Sequence, residues 1–121
     1  MPPTPAQAAL GAHGERLAAR TLVDAGLILL DRNWRCDLGE IDLVMREGNT
    51  LVVVEVKTRS NLAYGTPHEA ITPVKLERLK RLGERFATEH GLDGVEMRVD
   101  LVAVLRPRKG PSVVEHVREL G

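Results

Sequence analysis

Several things are scarce in this sequence, and each scarcity removes a class of function. There is one cysteine, Cys36, so an intrachain disulfide and a cysteine-rich zinc site are both excluded. A reducing cytoplasm is the expected location. Aromatic residues are limited to Trp34, Tyr64 and Phe86, too few for a base-stacking platform of the single-strand-binding kind. Net charge is absent, with 17 Lys plus Arg against 17 Asp plus Glu, which argues against a protein that coats nucleic acid through a uniformly basic surface. The longest apolar runs, Leu27-Ile28-Leu29-Leu30 and Leu51-Val52-Val53-Val54, fall far short of the roughly 20 residues of a membrane helix, so no membrane partner is expected. Met1-Pro2-Pro3-Thr4-Pro5 has neither a basic n-region nor an apolar h-region, so no secretory signal is expected.

The 121 residues are 43% hydrophobic and 28% charged, an ordinary globular balance with length for one core and one domain over residues 1–121. Thr4-Pro5 reads as a helix cap followed by proline in the first turn, predicting a helix over 6–25 that stops at Gly26. Residues 27–34 suit a strand. Residues 40–46 and 50–58, separated by Gly48-Asn49, carry a hairpin signal. Thr72-Pro73 repeats the cap and predicts a helix to about His90, with strands over 95–105 and 112–118. The order α-β-β-β-α-β-β predicts an α/β fold, a mixed sheet flanked by helices.

The hairpin gathers the charged residues that need explaining. With Glu47 facing Thr50, Asp42 falls opposite Glu55 and Glu40 opposite Lys57. Alternation then puts Glu40, Asp42, Val44, Val53, Glu55 and Lys57 on one face and Ile41, Leu43, Met45, Val52, Val54 and Val56 on a second, wholly apolar face. Opposed carboxylates repel, and near a partly buried centre that repulsion raises a pKa or calls for a cation. Mg²⁺ is commonly held by one or two carboxylates together with waters and phosphates. Lys57 lies beside Glu55, about 7 Å along the strand, where its amine can activate a water or neutralise phosphate charge. The same residues also read as a solvated strand face, with Glu40 and Lys57 as an ordinary cross-strand ion pair.

Other candidates are more diffuse. Gly11, Glu15, Ala18 and Leu22 share a helical stripe whose small members would let the helix approach a sheet, bringing Glu15 toward the hairpin. Alternatively Glu15 pairs at the surface with Arg16 or Arg20. His13, His68, His90 and His116 have no metal-ligand spacing and read as solvated or locally hydrogen-bonded. Cys36 reads as a half-buried side chain rather than a reactive thiol. Arg78, Lys80, Arg81 and Arg85 form either a phosphate-contacting or a solvated helix face. Arg59, Tyr64 and Gly65, just past the active strand, are placed to touch substrate. Arg106, Arg108 and Lys109 form a second basic knot.

Gly14-Glu15, Asn33-x-Arg35, Gly39-Glu40-Ile41-Asp42-Leu43 and Val54-Glu55-Val56-Lys57-x-Arg59, followed by Gly65, Pro67, Glu69-Ala70-Ile71 and Lys75, resemble the YraN-type family of small bacterial proteins within the PD-(D/E)xK nuclease superfamily. The layout is also similar to that of archaeal Holliday-junction resolvases. The resemblance covers roughly residues 9–90 and implies a restriction-endonuclease-like fold. Asp42 and Glu55 would be Mg²⁺ or Mn²⁺ ligands, Glu15 a further ligand or water organiser, and Lys57 the catalytic lysine. Glu40, Arg59, Lys75, Arg78 and Arg81 would be substrate-binding or rim residues. Ile41 stands where the superfamily's eponymous proline would be. The expected function is a metal-dependent endonuclease hydrolysing DNA, with branched or damaged DNA as candidate substrates and a homodimer as one compatible assembly. The alternatives are a non-catalytic nucleic-acid-binding module on the same fold and a protein-interaction domain.

Overall fold

The computed structural model describes residues 2–60 and 71–121. Its elements are α1 (Pro5–Asp24), β1 (Ile28–Cys36), β2 (Gly39–Glu47), β3 (Thr50–Arg59), α2 (Pro73–Glu89), β4 (Glu96–Leu105) and β5 (Val113–Val117), the order expected. The strands form one mixed sheet in the order β1-β2-β3-β4-β5. Pairing is antiparallel except between β3 and β4, where α2 supplies the long connection that parallel neighbours require. None of the described helices is long and apolar enough to cross a membrane.

The helix starts follow their caps. The Thr4 side chain accepts from the Gln7 N–H while the Gln7 side chain accepts from the Thr4 N–H, a reciprocal capping box. Thr72 likewise accepts from the Lys75 N–H at 3.1 Å. At the β2–β3 turn, Gly48 takes φ +59° and Asn49 stays out of the left-handed region, the sign pattern of a type II′ hairpin with glycine first.

Strand β3 is covered on both sides. Val52, Val54 and Val56 pack with Ala18, Ala19 and Leu22 of α1. Leu51 and Val53 pack with Leu79, Leu82, Phe86 and Ala87 of α2. Full burial of each such aliphatic side chain contributes roughly 1.5–3 kcal/mol, so β3 is the most firmly held strand of the sheet. This corrects the expectation of one apolar and one charged face, because Val44 and Val53 lie buried beneath α2. Alternation also breaks across Asp42: Ile41 packs on the α2 side while Leu43 and Met45 pack on the α1 side.

Two glycines set the helix–sheet distance. A Cβ at Gly83 of α2 would lie 2.7 Å from Val53 Cγ2 and would collide with the Met97 sulfur. A Cβ at Gly14 of α1 would lie 2.8 Å from Thr58 Cβ. The close approach therefore occurs at Gly14 and not at Gly11, where an added Cβ meets nothing within 4 Å. Gly83→Ala is expected to lower stability by about 1–3 kcal/mol through overpacking. Gly11→Ala, in an open helical position, is expected to raise it by roughly 0.4–1 kcal/mol. Thermal melts of the two variants check both signs.

Candidate metal and phosphate site

The β2–β3 ladder runs from Glu47↔Thr50 to Leu43↔Val54 in the expected register. Its paired residues end there, one position short of Asp42 and Glu55. Just beyond, Asp42 Oδ2 accepts the Val56 backbone N–H at 2.8 Å. A side chain thus takes a donor that a neighbouring strand's carbonyl would otherwise take, and the carboxyl group is pinned between β2 and β3. Glu40 does not reach Lys57 across the hairpin. It pairs across the other edge of β2 with Arg35, at 3.0 Å, which corrects the cross-strand pair read from the hairpin.

Three elements each contribute one carboxyl group to the lining of one cavity here. Glu15 arrives on α1, carried in by the close contact of Gly14 with Thr58. Burial, and then the Glu40 charge, raise its pKa above the ordinary glutamate value. Asp42 is pushed up to about 7, first by burial and then by the Glu55 charge, against the lowering effect of the Val56 N–H. Glu15, Asp42, Glu55, Lys57 and Arg59 all line one cavity of about 630 Å³, walled on the α1 side by Pro3, Gln7, Leu10 and Gly11.

The cations are as closely placed as the anions. Glu55 Oε1 receives Lys75 Nζ at 3.3 Å and Lys57 Nζ at 3.6 Å. The pKa of Lys57 is lowered by burial and then by Lys75 beside it. That of Lys75 is raised: burial works against its charge, but the Lys57 amine and the Glu55 carboxylate outweigh it. The buried Nε of Arg59 has no hydrogen-bond partner among the described residues. As they stand, no three His, Cys, Asp or Glu side chains among the described residues are gathered to hold a metal ion, and Glu55 is engaged by two lysines. The donor chemistry nonetheless fits a hard divalent cation. Carboxyl oxygens that raise one another's proton affinity are the ligands such an ion prefers.

Arg78 and Arg81 are not brought to this cavity. With Leu38, Pro73, Val74 and Glu77 they line a separate one of about 510 Å³. Arg85 is engaged with Asp37 at 2.7 Å and Glu89 at 2.9 Å. His13 meets Ser112, His90 stacks on Phe86, and His116 meets the buried Asp100, so these three are locally satisfied. Cys36 is half-buried and accepts the Leu38 N–H. Tyr64, Gly65, Pro67, His68, Glu69 and Ala70 lie outside the described residues. Two features carry no signal in the sequence. Asn33 takes a φ of +49°, an unusual backbone state for a strand residue. Lys75, expected as a substrate-binding residue, pairs with Glu55.

Residues 14–104 match the family described as Uncharacterised protein family UPF0102. The chain belongs to that family, in agreement with its YraN-type resemblance. A UPF0102 protein of Nocardioides sp. is 60% identical over 113 residues, covering 93% of this chain and 91% of the relative. One from Beutenbergia cavernae is 56% identical over 116 residues, covering 96% and 98%. Among solved structures, Archaeoglobus fulgidus Hjc, a Holliday junction resolvase from an archaeal hyperthermophile, superposes with a TM-score of 0.45 at 20% identity, over 86% of this chain and 74% of that one.

The raised pKa of Asp42 makes a stability prediction for the UPF0102 chain. A carboxyl with a folded value of about 7 against an ordinary 3.8 contributes its full stabilisation below pH 3.8 and loses it as pH rises through 7. Asp42→Asn keeps an acceptor for Val56 N–H and has no charge to lose. In EDTA it is expected to match wild type near pH 4 and to exceed it by up to about 4 kcal/mol at pH 8. Urea melts across that pH range check the difference.

Proposed function

We propose that this chain is a Mg²⁺- or Mn²⁺-dependent endonuclease acting on DNA, with branched or damaged DNA as the candidate substrate. The observation that carries the reading is the Asp42 carboxyl pinned by the Val56 N–H, beside Glu15 and Glu55 and in one cavity with Lys57 and Arg59. The YraN-type motifs, Glu15, Asp42 and Glu55-Val56-Lys57, supply the residues of that cavity. Their roles in the PD-(D/E)xK superfamily are the ones proposed here.

Asp42 and Glu55 would hold the cation, with Glu15 as a further ligand or as the group orienting water beside Asp42. When bound, a divalent cation supplies Lewis acidity and offsets the charge that builds on phosphoryl oxygens. The remaining work falls to the chain. The Val56 N–H fixes the Asp42 carboxyl. Lys57 holds the proton at Nζ less firmly than an ordinary lysine does, which suits it to accept one from an attacking water. The Arg59 guanidinium, whose Nε has no partner among the described residues, offers a charge-assisted donor to a phosphate oxygen. Arg78 and Arg81, further along α2, would meet the nucleic-acid backbone away from the scissile bond.

A second reading, a nucleic-acid-binding module without cleavage, is favoured by one specific observation: two ammonium groups already neutralise Glu55. Cleavage assays with Mg²⁺ or Mn²⁺ on single-stranded, duplex, flap and four-way-junction DNA separate the two. Under the nuclease reading Asp42→Ala, Glu55→Ala and Lys57→Ala each lose about 100-fold or more, and Glu15→Gln loses about 10-fold. Salt-sensitive binding with no cleavage of any substrate supports the module instead. Cleavage at wild-type rate by all three alanine variants would sink the nuclease assignment.

A further inference from the structure

Lys75 touches the cavity residue Glu55, and the proposed chemistry leaves it without a task. The Thr72 cap sets the start of α2 and makes Lys75 its third residue. From there the side chain reaches across to β3, and its Nζ lies closer to Glu55 Oε1 than that of Lys57 does, 3.3 Å against 3.6 Å. Both ammonium groups therefore sit on the same carboxylate oxygen, which is also an oxygen a divalent cation would need. An ion coordinated at about 2.1 Å and an ammonium group held against the same oxygen repel each other strongly. An ion bound through Oε1 would therefore displace one of the amines.

The two lysines are not equally free to leave. Lys57 is fixed by its strand, where it pairs with Ala103 in the β3–β4 ladder, and it sits two residues from Glu55. Lys75 belongs to a different element, at the first turn of a helix, and its side chain is about as exposed as that of Lys57, 31% against 28%, so the difference between them lies in where each is anchored. Its four-carbon stem can swing without unpacking the core.

We infer that Lys75 is a stand-in for the cation: its ammonium group neutralises Glu55 in the ion-free protein and is released to a substrate phosphate when the ion enters. The inference rests on the metal-dependent reading above. It also couples the two ligands. The ion frees a phosphate donor, and a bound phosphate draws away the ion's competitor, so each strengthens the other's binding by the same factor.

Two measurements on the full chain test this. Mn²⁺ is titrated calorimetrically into wild type, Lys75→Gln, Lys75→Met, Glu55→Ala and the exposed-loop control Lys109→Gln. Binding of a labelled DNA duplex is then followed by anisotropy in Ca²⁺. With the competitor removed, Lys75→Gln and Lys75→Met are expected to bind Mn²⁺ about 5-fold tighter than wild type and the duplex about 5-fold more weakly. Lys109→Gln should change neither. Mn²⁺ affinity in both neutral variants equal to or below wild type, while Glu55→Ala loses the ion, overturns the inference and leaves the metal reading standing. Tighter Mn²⁺ with unchanged duplex affinity overturns the release to phosphate. Absence of Mn²⁺ binding by wild type and Lys75→Gln alike overturns both the inference and the nuclease reading.

Discussion

A single hydrogen bond, from the Val56 backbone N–H to the Asp42 carboxyl, organises the cavity end of this sheet. It sits where the β2–β3 ladder stops, and it ties a side chain of β2 to the most deeply buried strand. The consequence is electrostatic. A carboxyl held there is half-buried, and Glu15 and Glu55 line the same cavity from α1 and β3. Its pKa rises to about 7, so at neutral pH the group is poised between holding a proton and attracting a cation. Gly14 matters for the same reason, since the tight α1–β3 contact it permits carries Glu15 into range.

The chain offers an internal contrast. Asp100 is fully buried in β4, yet it is matched on every side. Arg98 donates through Nε at 3.0 Å and Nη2 at 3.2 Å, His116 meets it at 2.7 Å, and the Glu119 N–H donates at 3.0 Å. Arg98 and Arg118 extend the network to Glu47, and residues 120 and 121 pair with Val99 beside it. That aspartate fastens the C-terminal segment to the sheet. Asp42 has a comparable backbone donor but no ion pair among the described residues, and the charges of Glu55, Glu15 and Glu40 act to raise its pKa. Buried carboxylates with matched donors are structural; one left among its own kind is chemically primed.

Element order and the caps at Thr4 and Thr72 were legible because they depend on local chemistry: a hydroxyl, a proline and a period of apolar residues. The hairpin register was legible for the same reason, through Gly48-Asn49. What failed was long-range. Strict alternation placed Ile41 with Leu43, but the break across Asp42 is imposed by the Val56 N–H and by α2 packing over Ile41. The partner of Glu40 was misread because β1, not β3, lies beside it at that end. Lys75 on Glu55 has no local signal at all, since it depends on where α2 docks.

The central claim is that Asp42 and Glu55 share a divalent cation. Anomalous diffraction from crystals grown with Mn²⁺ tests it most directly. The account predicts one strong peak within coordinating distance of an oxygen from each carboxyl group, with the Lys75 amine withdrawn from Glu55. Crystals that show no peak at the cavity in saturating Mn²⁺, with both lysines still on Glu55, would contradict it.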